Sequence, residues 1–280
     1  MKVFATRSAV MFVAAILCAG APGSAQAPPQ PERITLGFSD PNRVGQVEID
    51  AHGGSITIRG TNRKDVLITA REHADSGARG QRTPEPLPPG FRRLPRTSGF
   101  DVEESDNQIE ISTSHGGGGH DFDIEVPART NLEVSLVFGG DVTIRDVEGD
   151  IEVNNAGGTV TLTNVAGAVV ADAVMGAIKA VITRAAPDKP MAFSTLTGDI
   201  DVTFPAAIRA TFKLRSDGGD VITNFDLQMK PSNTPRSQSR QGKEPVRIEV
   251  NRSLIGTVNG GGPEIELRSV GGRIYLRQGK

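Results

Sequence analysis

The sequence predicts an all-β protein, built as a β-solenoid or β-roll-like repeat of nine-residue half-coils. A first observation is that glycines recur nine residues apart, at Gly140, Gly149, Gly158, Gly167 and Gly176. A second is that apolar residues occupy the third, fifth and eighth places of every full copy. The third is that the other patterned runs are short and alternating, and none of ten or more residues keeps a helical period. An antiparallel meander, with each copy as one strand of a single sheet, or a sandwich is the alternative.

Each place in the nine-residue copy has a physical role. Places three and five are two apart, so both side chains point to the same face of a short strand. After a corner, the apolar residue at place eight returns to that core. Place one is glycine, which can adopt a positive φ at the turn. Place seven is Asp146, Asn155, Asn164 and then Ala173; Asp and Asn suit corners because they tolerate the left-handed region. Nine residues cannot return above themselves, so two copies, or eighteen residues, are predicted to form one coil with one strand in each of two sheets.

Residues 1–27 are predicted to be a signal peptide that does not belong to the fold. Lys2 and Arg7 precede an apolar run from Ala9 to Ala21, and Ala25 to Ala27 form a small-x-small cleavage site. The apolar run is too short to span a membrane. Cleavage would leave residues 28–280 without cysteine, since Cys18 is the only one. Lipidation of Cys18 is the alternative, although Leu17 stands where a small residue is usual. We expect an exported protein, periplasmic or extracellular at the cell surface, with no transmembrane span after cleavage.

The remaining chain is predicted to be a single β-repeat domain, 28–280, with exposed basic loops at 76–98 and 229–244. The first loop carries five arginines, which are Arg79, Arg82, Arg92, Arg93 and Arg96. The body of the mature chain is acidic, so these arginines are candidates for binding an envelope polyanion. The near-balanced charge of the whole chain, −2, excludes a wholly basic nucleic-acid binder. The absence of Trp, with a single Tyr, argues against a sugar-stacking groove.

Several sequence motifs resemble those of the bacterial family of putative adhesin domains, which are β-strand-repeat proteins of unknown function. The likeness covers about residues 33–278 and depends on four features in order along the chain. These are Gly53 to Ile58, then Val126-Pro127 before Asn131 to Val134, then the repeated Gly-Asp-[Val/Ile], and last Val258 to Pro263 followed by Val270 to Leu276. The resemblance implies a secreted or cell-envelope scaffold. The family has no agreed catalytic residues, so none is transferred.

Two kinds of metal site, for calcium and for zinc, are considered from the sequence. A calcium ladder needs an aspartate at each turn, but Asp141 and Asp150 are followed in later copies by Thr159, Ala168 and Ala177. His115 and His120 flank four glycines with Asp121 nearby, but their spacing matches no standard zinc site. We therefore predict no metal, cofactor or catalytic residues.

The function expected is an exported non-catalytic scaffold or binding protein of the bacterial cell envelope. Its partner is an envelope polyanion or a surface protein, not a nucleic acid, and the oligomeric state is open. A carbohydrate-active β-helix enzyme is one alternative, although only Glu152 and Lys179 are charged outward residues at the centre of the repeat. A protein-binding component of envelope stress or signalling is another.

Overall fold

The computed structural model describes residues 31–73, 99–113, 119–230 and 253–279. These residues form strands in two mixed sheets and no helix, which confirms the all-β prediction. The predicted signal peptide, the first basic loop and residues 231–244 of the second lie outside the described residues.

The strands divide between a ten-stranded sheet, here sheet 1, and an eleven-stranded sheet, here sheet 2. Sheet 1 contains β1 (Glu32–Gly37), β3 (Ile56–Thr61), β4 (Asp65–Glu72), β7 (His120–Pro127), β9 (Val142–Arg145), β11 (Val160–Gly167), β13 (Ile178–Ala185), β15 (Ile200–Phe204), β17 (Val221–Thr223) and β21 (Ile274–Gln278). Sheet 2 contains β2 (Gly45–Ala51), β5 (Phe100–Ser105), β6 (Gln108–Thr113), β8 (Thr130–Leu136), β10 (Ile151–Asn155), β12 (Val169–Ala173), β14 (Met191–Thr195), β16 (Ala210–Ser216), β18 (Gln228–Met229), β19 (Leu254–Val258) and β20 (Glu264–Ser269).

Consecutive nine-residue copies lie in opposite sheets, and copies two apart are parallel neighbours. In sheet 1, Val142 pairs with Val160 and Val160 pairs with Ile178. In sheet 2, Ile151 pairs with Val169 in the same way. The repeating vertical step is therefore eighteen residues, as in the hydrogen bond from the Thr159 backbone to Asp141. The apolar residues at places three and five stack directly upon one another, because the register is constant over those places; between β11 and β13 it shifts only after Leu162.

The order of strands is not sequential at either end of the stack. In sheet 2, the late strand β20 lies between β14 and β16. In sheet 1, the late strand β21 lies between β15 and β17. The early strands show the same feature. In sheet 2, β2 lies between β8 and β6, and in sheet 1, β3 lies between β9 and β7. Antiparallel strands cover one end in both sheets, with β1 and β4 in sheet 1 and β5 in sheet 2. At the other end β18 and β19 cover sheet 2, whereas sheet 1 ends on β17, which is parallel to β21. These crossovers bring together side chains that are distant in sequence.

The core lies between the sheets and contains every residue at places three and five of the repeat, from Val142 to Ala180. Place eight, however, behaves in two ways. Val147 and Val165 are buried as predicted, but the prediction is wrong for Val174, which is 45% exposed, and Ala156 is only half-buried. In the sheet 1 copies, place seven has a left-handed backbone (Asp146 φ 59°, Asn164 φ 56°), which shifts the alternation by one residue. The sheet 2 copies continue straight, so place seven points inward and place eight outward.

The repeating glycines are required mainly by close approach between neighbouring parallel strands, not by the positive φ that the sequence suggested. Of the five, only Gly167 has a positive φ, 130°. A Cβ at Gly158 or Gly176 would overlap the carbonyl oxygen of the glycine eighteen residues earlier. Any side chain at these positions would push the neighbouring strands apart.

Candidate functional site

A ridge of exposed apolar side chains runs along the corner where the strands of sheet 2 end. Its exposed members are Val137, Phe138, Val174, Met175, Leu196 and Val270, and the half-buried Ala156 lies among them. Excluding the small Ala156, these account for six of the eleven large apolar side chains that are exposed in the described part, with exposures from 37% to 64%. Scattered exposed apolar residues are ordinary, but a contiguous row is typical of an interaction surface.

Backbone hydrogen bonds align the ridge across the ends of five adjacent strands of sheet 2, which are β8, β10, β12, β14 and β20. The N–H of Ala156 donates to Leu136 at 3.0 Å, that of Val174 to Asn155 at 3.0 Å, and that of Leu196 to Ala173 at 3.2 Å. Val270 continues the ladder by donating to Thr195 at 3.1 Å. With strands spaced about 4.8 Å apart, five aligned positions span about 19 Å.

Polar side chains form the other wall of a groove beside the ridge. The column consists of Ser135, Asn154, Asp172, Ser194 and Arg268, which are register partners on β8, β10, β12, β14 and β20. The groove between column and ridge, here the corner groove, has a volume of about 480 Å³. Apolar contact on one wall and hydrogen-bonding groups on the other suit recognition of a partner with both kinds of side chain.

Buried polar side chains hold the corner beneath the groove. Thr195 donates from Oγ1 to the Gly176 carbonyl at 2.8 Å and accepts the Gly198 N–H at 3.2 Å. Ser269 repeats this arrangement one coil further, donating to Gly198 at 2.9 Å and accepting from Gly272 at 2.8 Å. Each residue therefore joins its own corner to the preceding one, which gives the ridge a fixed backbone.

A row of glutamates crosses the outer face of sheet 2 beside the polar column. The row consists of Glu103, Glu110, Glu48, Glu133 and Glu152, on the adjacent strands β5, β6, β2, β8 and β10. Burial raises the pKa of the Glu48 carboxyl, and repulsion from Glu133 and other carboxylates raises it further. Gln108 opposes this by donating to Glu48 Oε2 at 2.6 Å. Like charges directly opposite each other destabilise a sheet, so the row makes this face strongly acidic at a cost in stability.

The residues weighed for metal binding have structural partners. Asp141 accepts the Thr159 N–H at 2.8 Å, and Asp150 accepts the Ala168 N–H at 3.3 Å. Asp121 accepts the Ser55 N–H and contacts His73 Nδ1, both at 2.8 Å. His120 is buried against Phe122 and Phe100. His115 lies outside the described residues, within which no group of three potential metal ligands comes together.

The predicted polyanion-binding arginines, Arg79, Arg82, Arg92, Arg93 and Arg96, all lie outside the described residues. Sequence reasoning missed both the apolar ridge and the glutamate row. A signal for the ridge was present, because Ala156 and Val174 share place eight in the sheet 2 copies. No local signal could reveal the row, since Glu48, Glu110 and Glu133 meet only through the crossovers.

No family model matches this chain, and no curated protein matches it. Among solved structures, it is similar to a “putative cell adhesion protein” from Clostridium sporogenes, at 12% identity and a TM-score of 0.45, covering 89% of this chain and 100% of the other. It is also similar to a “putative adhesin” from Bacteroides fragilis, at 10% identity and a TM-score of 0.30, covering 89% and 97%. At these values neither likeness identifies the chain. The described residues include no helix long and apolar enough to cross a membrane.

Proposed function

We propose that this protein is an exported, non-catalytic, adhesin-like scaffold of the bacterial cell envelope that binds a partner protein in the corner groove. The observation that carries the proposal is the apolar ridge, with Val174 and Leu196 at its centre. Exposing an aligned apolar row to water is unfavourable, so its covering by a partner would release free energy. The location is inferred from the sequence of residues 1–27 and from the family resemblance.

The proposed partner presents apolar side chains flanked by basic ones. Its apolar side chains would cover the ridge, while its basic ones would face Asp172 and the nearby glutamate row. Charge complementarity of this kind favours association and register more than it adds affinity. The repeat would act as a β-solenoid scaffold, in which stacked coils hold the surface rigid and extended.

Binding to envelopes tests the groove. The chain without residues 1–27 should bind whole envelopes, and replacing Val174 and Leu196 by Ser should weaken that binding at least tenfold. A matched control replaces Val181 and Leu254, whose exposures of 43% and 46% are similar but which lie outside the ridge. Equal loss in both variants would contradict the proposal. Self-association that disappears in the ridge variant would identify a second copy of this chain as the occupant instead.

A second, separable proposal concerns the predicted basic loop at 76–98. We propose that its arginines contact an envelope polyanion; these are Arg79, Arg82, Arg92, Arg93 and Arg96. Because salt screens charges, such contacts weaken steeply as the salt concentration rises, whereas an apolar contact is not screened. Binding to purified polyanions should therefore fall as salt rises, and replacing Arg92, Arg93 and Arg96 by Ser should remove most of it. Envelope binding that the arginine variant keeps and the Val174 and Leu196 variant loses favours the ridge alone.

The glutamate row keeps one catalytic alternative in consideration, a carbohydrate-active enzyme. Paired carboxylates in different environments are the groups that glycoside hydrolysis uses, and Glu48 and Glu133 are register neighbours. Saccharide cleavage that is abolished by Glu48→Gln would establish this function. Intact saccharides, together with unchanged envelope binding by Glu48→Gln, would eliminate it. A protein-binding role in envelope stress or signalling would use the corner groove and is tested by the ridge variants.

A further inference from the structure

Four cationic side chains line one pocket at the opposite corner, near the start of the described chain. Arg43 lies in the connection between β1 and β2, Arg63 and Lys64 lie between β3 and β4, and Arg129 lies between β7 and β8. The pocket has a volume of about 380 Å³ and none of its lining residues is acidic. Its remaining walls include the Phe38 ring and Val44. We call it the basic pocket.

The charges of this pocket are largely unneutralised. Arg63 pairs with Asp65 at 2.8 Å and approaches Glu125 at 3.9 Å, but its buried Nε atom has no hydrogen-bond partner. Arg43, Lys64 and Arg129 form no ion pair with the residues that the structure describes. Cations gathered in one cavity repel one another, and a bound anion would convert that repulsion into attraction.

We propose that the basic pocket binds a ligand through a phosphate group. Arginine presents a planar fork of donors that matches phosphate oxygens, and lysine adds a compact charge. Phe38 and Val44 supply an apolar wall for the part of the ligand that carries the phosphate. The volume lies within the usual range for small-molecule sites, roughly 300–1,000 Å³.

Packing behind the pocket supports a defined shape. The Phe38 ring packs on the backbone of Gly45, where an added Cβ would overlap the ring. Gly45 is the first residue of β2 and is buried. Gly45→Ala should therefore displace Phe38 and alter the pocket without changing any charge.

Calorimetric titration of the purified protein tests the proposal. Inorganic phosphate, pyrophosphate and glucose 1-phosphate serve as soluble ligands, and phosphatidylglycerol vesicles are compared with phosphatidylcholine vesicles. Binding of a soluble phosphate indicates a free ligand, and binding of phosphatidylglycerol vesicles alone indicates a lipid headgroup. Either result supports phosphate recognition if it depends on the pocket. Failure of every phosphate ligand to bind at millimolar concentration would overturn it.

Two matched double variants test whether phosphate binding depends on the basic pocket. Replacing Arg43 and Lys64 by Ser should weaken binding at least tenfold, and Gly45→Ala should weaken it several-fold. The control replaces Arg209 and Lys179, which are also exposed but lie far along the chain from the pocket, and should change affinity less than twofold. Equal losses in both double variants would show a general effect of net charge and would refute the site. The ridge variant of Val174 and Leu196 should retain phosphate binding, which separates this proposal from the proposed function.

Discussion

Asn155 and Asn164 occupy the same place in consecutive repeats, yet the Asn155 side chain is buried and the Asn164 side chain is exposed. Asn155 is buried and donates from Nδ2 to the carbonyls of Gly140 at 3.2 Å and Gly158 at 3.1 Å. Asn164 has a left-handed backbone, with φ of 56°, and donates to the Asp146 carboxylate one coil earlier. The nine-residue repeat is thus a pair of different corners, one for each sheet.

The same substitution should therefore give different results at the two positions. Asn155→Gly should lower the free energy of unfolding by about 1–3 kcal/mol, because the half-buried carbonyls of Gly140 and Gly158 lose the donor that a buried side chain supplies. Asn164→Gly should cost much less, because glycine adopts the left-handed conformation without strain. Urea unfolding of both variants measures the difference. Similar losses would show that the two corners are equivalent.

Replacing a close-packed glycine should destabilise the stack. Gly176→Ala places a methyl group against the Gly158 carbonyl and should cost about 1–3 kcal/mol, because the neighbouring strands must separate. Gly37→Ala is the control, since a Cβ there meets no atom within 4 Å. Thermal unfolding should show a clear decrease for the first variant and almost none for the second. Tolerance of Gly176→Ala would contradict the close approach.

Deletions test the eighteen-residue step. Removing Gly149 to Ala166 takes out one strand from each sheet and leaves every later strand in its own sheet. Removing Gly158 to Ala166 alone transfers every later strand to the opposite sheet and breaks its match with the terminal strands. The shorter deletion should be the more destabilising, as judged by unfolding and by recovery of soluble protein. Equal tolerance would argue against two repeats per coil.

Neutralising the glutamate row should stabilise the protein at neutral pH. The pKa of Glu48 is raised in the folded state above its usual value of 4.5, so folding is favoured when this carboxyl is protonated. Its favourable contribution is complete below pH 4.5 and is lost as the pH rises through the folded-state pKa. Glu48→Gln should therefore raise stability at pH 7 by up to about 1 kcal/mol, and the gain should vanish in acid.

Glu266→Gln is the matched control for that prediction. Glu266 also lies on the outer face of sheet 2, but it pairs with Lys213 at 3.1 Å. Its neutralisation should leave stability unchanged or slightly lower at pH 7. A gain of the same size in both variants would show that the repulsion within the row is not the cause.

The strands and their buried faces could be predicted because period-two alternation is a local property. Val142, Ile144, Val160 and Leu162 all lie in the core as the repeat indicated. The orientation of Val174 could not be predicted, since it depends on the backbone conformation at the preceding corner. The polyanion-binding arginines stay a prediction, because Arg92 and its neighbours lie outside the described residues.

By itself, the sequence determined the class of structure and the period. Glycines nine residues apart and alternating apolar residues allow β-strands with tight corners and leave no long helical face to bury. Only the tertiary structure decided which surfaces meet. The crossovers place Glu48 between Glu110 and Glu133, and they gather Arg43, Arg63, Lys64 and Arg129 around one pocket. Such neighbours arise from the order of the strands in each sheet, and that order is set by the packing of whole strands, not by any local pattern.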